Sequence, residues 1–479
     1  MLASYVSINQ LIATATADKF GQADLATLQR LQAEFAPQLA MLRGRVDALE
    51  AKTAQLEVSQ FSTITKLRAS ALFATVSVLT GQNANGRKID RVPVLGSRVQ
   101  LNFATSFNGK DLLLARLRSR TLFSLSGNST FTADGDLRFA GPTFSTGGTG
   151  AVGIDTFAYI FPIGQKTVVY LDANSGEIDD TVGTLNPYID GDGNYGALSN
   201  FGTRNPIYNL VSGAGVGVRH SLSDKLVLGL GYLASAGNNP SPGSGLFNGP
   251  YGAIAQLVIK PSKQFNLGLT YVNSFNTDLT AGSNRANLRS TLLSNNNALF
   301  SAVGGGPSGS GSSTSVGSTP SGRAAIPGIL GPLRGDSLPV NSNSYAVEAT
   351  LRLAPKFVIN GWVGYTASRT LSTLRGAINR GDLSILNYAI ILAFPDLGKE
   401  GSVAGFVFGM EPRVVGVSHS LRSQIGTDPN NSLHIEGFYQ YRLTDNITIT
   451  PGVIWTTNPN FNNGNADVVV GAIRTRFTF

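Results

Sequence analysis

The chain has 479 residues, of which only 14% are charged and 56 are glycine, a composition that is unusual for a soluble enzyme and suits the turns and walls of a β-barrel. It has no cysteine and only three histidines, far apart in the sequence, which excludes a thiol nucleophile and a structural zinc site, so we expect no metal and no cofactor. The net charge of +8 is scattered along the chain, which argues against nucleic acid as a partner.

Residues 25–60 carry a heptad pattern, with seam positions spaced alternately three and four apart, which favours an oligomeric coiled coil. The alternative is a helix packed on its own domain, but no neighbouring helical segment could cover the seam. Pro37 lies inside the pattern. Because proline costs a helix interior ~3 kcal/mol, we predict a break near Ala36 and a firmer helix over 38–58. The seam consists of Leu25, Leu28, Gln32, Phe35, Leu39, Leu42, Val46, Leu49, Thr53 and Leu56.

After Phe61 the helical period gives way to alternation with a period of two, interrupted by short breaks. Each break joins two alternating runs and predicts a hairpin turn. Seven turns, a first strand near 66–80 and a final strand predict sixteen strands, an even number as in single-chain bacterial barrels. The turns are predicted at 106–111, 161–166, 221–225, 260–263, 354–356, 396–400 and 443–446.

The remaining connections are long, and short turns at one rim with long loops at the other are typical of an outer-membrane barrel. No apolar run reaches the ~18–20 residues of a membrane helix, whereas a membrane strand needs only ~9–11. A soluble β-solenoid, the main alternative, would repeat at a fixed period, which these hairpins do not. The long connections are predicted at 81–96, 123–153, 175–207, 236–250, 276–343, 371–385, 418–431 and 458–467.

The predicted fold class is therefore all-β: a sixteen-stranded antiparallel transmembrane β-barrel over residues 61–479, with an N-terminal α-helical coiled coil. The last strand shows the expected alternation, with Ile473 and Phe477 on one face and Arg474 and Arg476 on the other. We expect the apolar face to meet lipid and the polar face to line water.

Three arginines at spacing two, Arg116, Arg118 and Arg120, project from one face of a predicted strand. On the lipid face each would cost ~2–4 kcal/mol near the membrane midplane. We therefore expect a basic ladder that lines the pore. The alternative is that these arginines pair with neighbouring carboxylates only to hold the wall.

The connection 175–207 is acidic, and its only basic residue is Arg204. If this loop folds into the barrel it faces the basic ladder, and the two form a constriction with a transverse field that selects polar solutes. The alternative is a solvated surface loop. The acidic members of this candidate site are Glu177, Asp179, Asp180, Asp190 and Asp192.

Two motifs in the sequence match a metal site or a catalytic site only in part. The run from Asp190 to Gly196 resembles the start of a calcium loop, but its sixth position is Tyr195 and its twelfth is Phe201, so we favour a Gly-Asp turn over a bound cation. His434 alternates with Glu436 on the predicted lumen side, and the sequence shows no serine partner for a hydrolase. We therefore expect no enzyme.

Several runs resemble cyanobacterial iron-uptake porins, which belong with the OprB-type carbohydrate-selective porins. The resemblance implies a homotrimeric sixteen-stranded pore, a coiled coil crossing the periplasm, and an S-layer homology domain that grips a peptidoglycan-linked polymer. Residues 1–24 resemble only a remnant of that domain, which puts contact with peptidoglycan in doubt. The matching runs are Leu28-Gln-Arg-Leu-Gln32, 42–50, Gln60-Phe-Ser-Thr63, Phe201-Gly-Thr-Arg-Asn-Pro-Ile-Tyr208, His434-Ile-Glu-Gly-Phe-Tyr439, Thr450-Pro-Gly-Val-Ile-Trp455 and the final strand.

Two functions follow as hypotheses. The first is a passive channel in the outer membrane, surrounded by lipid, for small hydrophilic solutes and inorganic ions, with iron or carbohydrates implied by the resemblance. The second is a structural tether between outer membrane and peptidoglycan. The residues Met1-Leu-Ala-Ser-Tyr5 lack the basic region and apolar core of a signal peptide, so we expect the sequence to begin downstream of the true start.

Overall fold

The protein is described in a computed structural model over residues 22–59, 64–141, 150–288, 339–373 and 379–479. The chain divides into two compact units, Met1–Thr65 and Lys66–Phe479. The predicted remnant at 1–24 lies almost wholly outside the described residues.

The first unit contains one long helix, α1, which runs from Gln22 to Ser59. The break predicted near Ala36 is wrong, because α1 continues through Pro37. A proline removes one hydrogen bond and bends a helix, but it need not end one. Of the heptad seam, Phe35, Leu42 and Val46 are about half exposed in the single chain, so the coiled coil stays a prediction. Among the described helices, none has the length and apolarity to cross a membrane.

The second unit is a closed barrel of sixteen strands, each hydrogen-bonded to its neighbours in sequence, with β1 closing on β18. This confirms the predicted fold class. The barrel strands are β1 Thr65–Thr80, β2 Val94–Thr105, β3 Leu112–Arg120, β4 Gly153–Ile163, β5 Thr167–Glu177, β8 Ser212–Ser223, β9 Leu226–Ala234, β10 Tyr251–Ile259, β11 Phe265–Phe275, β12 Val340–Ala354, β13 Phe357–Thr370, β14 Gly381–Pro395, β15 Val403–Val417, β16 His434–Arg442, β17 Ile447–Thr456 and β18 Val468–Thr478.

All seven predicted hairpin turns lie where the sequence alternation breaks, and the eight long connections leave the opposite rim. The long connections contain a separate two-stranded ribbon and several single helical turns. These elements are β6 Asp190–Gly191 and β7 Tyr195–Gly196, the helices α2 Leu125–Asn128, α3 Asn200–Thr203, α4 Gly245–Asn248 and α5 His419–Arg422, and the 3-10 turns Ile178–Asp180, Pro206–Leu210 and Pro459–Phe461.

The two faces of each strand differ in exposure, as the period of two requires. On β18, Arg474 is 1% exposed and its neighbour Ile473 is 53% exposed. On β13, Trp362 is buried and Val363 is exposed. The exposed face is thus apolar and the enclosed face carries the charge, which is the arrangement of a barrel that meets lipid outside.

Part of the inner wall is apolar as well, which the alternation alone did not predict. Val468, Val470 and Ala472 of β18 lie on the enclosed face and are buried in one apolar cluster with Leu198 and Phe201 of the connection after β5. These residues are buried because loops fold over them inside the barrel, not because they face lipid.

The outer face gives a direct stability prediction at two matched positions. Val363 lies at the middle of β13 and Leu353 at the turn end of β12, and they are 54% and 55% exposed. In lipid, V363R should lower the free energy of unfolding by ~2–4 kcal/mol and L353R by ~0–1 kcal/mol, because the cost of an arginine depends on depth. Urea unfolding in lipid vesicles measures both, and equal losses would contradict the placement of this face in the membrane.

Candidate pore constriction

The connection between β5 and β8, residues 178–211, is called loop L3 below. Its backbone amides at Leu198 and Ser199 donate to Glu436 of β16. On another wall, the Tyr208 hydroxyl donates to Glu348 of β12 at 2.7 Å. These strands are well separated around the closed barrel. A loop that leaves β5 and returns to β8 can contact both only by crossing the interior, so L3 folds inward.

Local signals shape L3 into compact turns. The Ser199 hydroxyl accepts a hydrogen bond from the Gly202 amide at 2.8 Å and so caps the helical turn α3. Asp192 and Gly193 have φ of +48° and +74° at the tip of the β6–β7 ribbon, the left-handed region that Asp and Gly tolerate in turns. The ribbon is therefore the Gly-Asp turn that the sequence favoured.

Arg474 holds this ribbon against the wall at β18. Its guanidinium donates to the carbonyl oxygens of Gly196 at 2.7 Å and Gly193 at 3.0 Å. At Gly196 an added Cβ would lie 1.9 Å from the Ile189 carbonyl oxygen, so only glycine permits this close approach.

The predicted basic ladder on β3 faces the interior, and its three arginines have different partners. Arg118 lies 2.6 Å from Asp155 of β4 and 3.3 Å from Asp192 of L3. Arg116 lies 3.8 Å from Asp155. Arg120 donates to the Ala140 carbonyl oxygen at 3.0 Å. Some of these contacts hold the wall and one joins the acidic loop, so the role of the ladder in the pore stays a prediction.

Asp192 is the carboxylate that most arginines share. Burial alone would raise its pKa, but the guanidinium groups around it outweigh burial and hold the pKa of Asp192 well below its ordinary value. The contacts are Arg138 at 2.6 Å, Arg118 at 3.3 Å, Arg98 at 3.8 Å and Arg204 at 3.9 Å.

Arg204 pairs with two further aspartates of L3 and with Glu177 at the end of β5. It binds Asp190 through two hydrogen bonds of 2.8 and 3.0 Å, lies 3.4 Å from Glu177 and contacts Asp179. Burial nevertheless raises the pKa of Asp179 well above its ordinary value. Asp180 is the exposed member of the acidic set.

Arg98, Arg138 and Asp155 belong to this cluster and were missed by the sequence interpretation. Arg98 had a signal, because it alternates with Gln100 and Asn102 on β2 as the ladder does on β3. Arg138 had none. It comes from the loop after β3 and reaches Glu177 at 2.6 Å, and no sequence period fixes the path of that loop.

A small water-accessible cavity borders the paired charges. It has a volume of about 180 Å³, and its lining includes Arg138, Glu177, Asp179 and Arg204. Other lining residues are Tyr208, Asn209, Ser212 and Thr280. A solute there would meet fixed donors and acceptors within the barrel.

Ser199 is the serine partner that the sequence did not reveal for His434. The Ser199 hydroxyl lies 3.3 Å from Nε2 of His434, and Nδ1 lies 2.8 Å from Glu411. The spacing resembles a hydrolytic triad. However, Ser199 is fully buried, also contacts Glu436, and caps α3, so its hydroxyl is engaged and enclosed. The arrangement fastens L3 to β15 and β16.

The carboxylates of L3 are paired with arginines rather than arranged for a metal. Within the described ranges, no group of His, Asp and Glu could hold a metal ion. Asp190 and Asp192, the two aspartates of the calcium-like run, both accept from guanidinium groups.

Comparisons with known proteins agree with this geometry. Residues 22–479 match the family described as carbohydrate-selective porin, OprB family. An uncharacterized protein of Nostoc sp. is 38% identical over 491 residues, covering 98% of this chain and 75% of that relative. One from Synechocystis sp. is 31% identical over 475 residues, covering 96% and 77%. The solved OprB of Pseudomonas putida is similar in fold, with a TM-score of 0.51, 10% identity, and coverage of 87% of this chain and 94% of that one.

Asp134, in the loop after β3, gives a pH prediction. It is buried beside Glu411, and together burial and this second carboxylate raise the pKa of Asp134 to about 8. The folded state therefore holds its proton more tightly than the unfolded chain does. The stability it contributes is complete below about pH 4 and is lost as pH rises through about pH 8.

We expect the free energy of unfolding of the wild type to fall between about pH 5 and about pH 9, and to fall less in D134N, whose amide does not titrate. Urea unfolding at both pH values measures the difference. Parallel losses in the two proteins would show that other groups control the pH dependence.

Proposed function

Because the chain belongs to the OprB family of carbohydrate-selective porins, we propose that it forms a water-filled pore that passes small hydrophilic solutes through the outer membrane. The family and the barrel establish an outer-membrane channel rather than an enzyme. We further propose that its solutes are carbohydrate-like. Transport follows the concentration gradient of the solute.

The observation that carries the proposal is the pairing of charges around L3. Most of its carboxylates contact guanidinium groups, so few charges are left to attract or repel an ion. Fixed guanidinium donors and carboxylate acceptors can instead bind the hydroxyl groups of a neutral polyol. This favours carbohydrate-like solutes.

Inorganic ions, including iron, are the second class of solute. A hydrated cation would be favoured by carboxylate oxygens without competing arginines. The described part of the chain has no such cluster, so we rank iron below neutral polyols. The proposed constriction consists of Arg116, Arg118, Arg120, Glu177, Asp179, Asp180, Asp190, Asp192 and Arg204.

We propose that the chain assembles into a homotrimer through contacts between its α1 helices. Its heptad seam leaves Phe35, Leu42 and Val46 about half exposed, and burying such a seam against identical helices would stabilise an oligomer. A periplasmic location for this coiled coil, and any link to peptidoglycan, rest on the family resemblance.

Charge reversal on β3 tests the constriction. The double variant R116E/R118E should raise the permeability of cations relative to anions by roughly twofold or more, because it places negative charge beside Asp155 and Asp192. Reversal potentials of single channels in planar bilayers measure the ratio.

The matched control is R87E/R91E, which changes the net charge equally at two exposed residues of the connection after β1. An equal shift in both variants, or none in R116E/R118E, would remove these arginines from the pore. A wild-type barrel that passes no current and no sugar would favour the structural tether instead.

A further inference from the structure

The rim with the short turns carries most of the lysines of the protein. The chain has eleven lysines, and eight of them lie at this rim. Six of the seven turns contain at least one, and the remaining turn follows Arg442 at the end of β16. On the long-loop rim, Lys88 is the only lysine in the described residues.

The buried cations of the barrel are arginines, whereas most cations of the short-turn rim are lysines. The arginines of β2, β3 and L3 lie inside, where their planar groups bind carboxylates in fixed geometry. The rim lysines are exposed, seven in the turns and Lys66 at the start of β1, where a flexible, hydrated charge can follow a mobile partner. This division indicates two different roles for positive charge.

Among the described residues, none of the eight lysines at the rim forms an ion pair with a carboxylate, although the same turns also contain the carboxylates Asp111, Asp224, Asp396, Glu400 and Asp445. Lys399 donates to the Leu443 carbonyl oxygen at 2.8 Å, and Lys356 approaches the Asp396 carbonyl oxygen at 3.4 Å. Their charge therefore remains available to a partner.

The lysines are most concentrated at two neighbouring turns. Lys225, Lys260 and Lys263 line one open cleft of about 550 Å³, which contains a single carboxylate, Asp224. Strands are ~4.8 Å apart, so successive turns along the rim are separated by about 10 Å. A small anion would reach one or two of these turns, whereas a linear polymer could cross several.

We propose that the short-turn rim is a docking surface for a linear polyanion, a polymer of sugar acids, that lies across the mouth of the barrel. The contact is electrostatic and independent of which solute passes through the pore. It uses the ring of turn lysines, with Lys225, Lys260, Lys263 and Lys356 at its most basic part. Salt should weaken it strongly, because the cations are exposed.

The test uses the full chain in detergent with fluorescently labelled polyglutamate as the probe, followed by anisotropy. The variant K225Q/K260Q/K263Q/K356Q should weaken binding by about tenfold or more, and so should raising the salt from about 0.1 M to about 1 M. The matched control is R87Q/K88Q/R91Q/R380Q, which removes the same charge at four exposed residues of the long connections. It should leave the affinity within about twofold.

Equal weakening in the two variants would overturn the proposal, because net charge alone would then explain the binding. Competition by inorganic phosphate at equal charge concentration would also overturn it and indicate a small-anion site. The membrane surface is tested separately, with vesicles containing phosphatidylglycerol. If the turn variant loses affinity for these vesicles but keeps its affinity for polyglutamate, the rim serves lipid headgroups and the proposal is wrong.

Discussion

The crossing of the barrel interior by L3 is the constraint on which the pore depends. A closed sheet leaves no unpaired strand edge and sends every second side chain inward. A barrel of sixteen strands would be wide if it were empty. L3 narrows it because the loop is held by Glu436 of β16 on one side and, through Tyr208, by Glu348 of β12 on another. Its carboxylates are then held beside the arginines of β3.

This crossing also explains the electrostatics of the site. Burying a carboxylate is costly unless it is paired, and breaking a buried pair leaves an uncompensated charge. Asp192 and Arg204 each have several partners of opposite sign, so the loop and the wall neutralise one another. The result is a polar passage with little excess charge, which is the basis for the proposal that it passes neutral hydroxylated solutes more readily than free metal ions.

Much of this fold could be predicted from the sequence, because alternation with a period of two determines both the strands and their faces. The ladder of Arg116, Arg118 and Arg120 was found in that way. The role of Arg138 and the contact between Ser199 and His434 could not be found, since both depend on loop paths that no period encodes.

The most direct test of the inward crossing uses the absence of native cysteine. In D180C, a small anionic thiol reagent should lower the single-channel current in a step, because the added group narrows the aqueous bore. In S241C, on the exposed connection after β9, the same reagent should leave the current unchanged. Complete labelling of D180C, verified by mass spectrometry, with no change in current would contradict the placement of L3 inside the barrel.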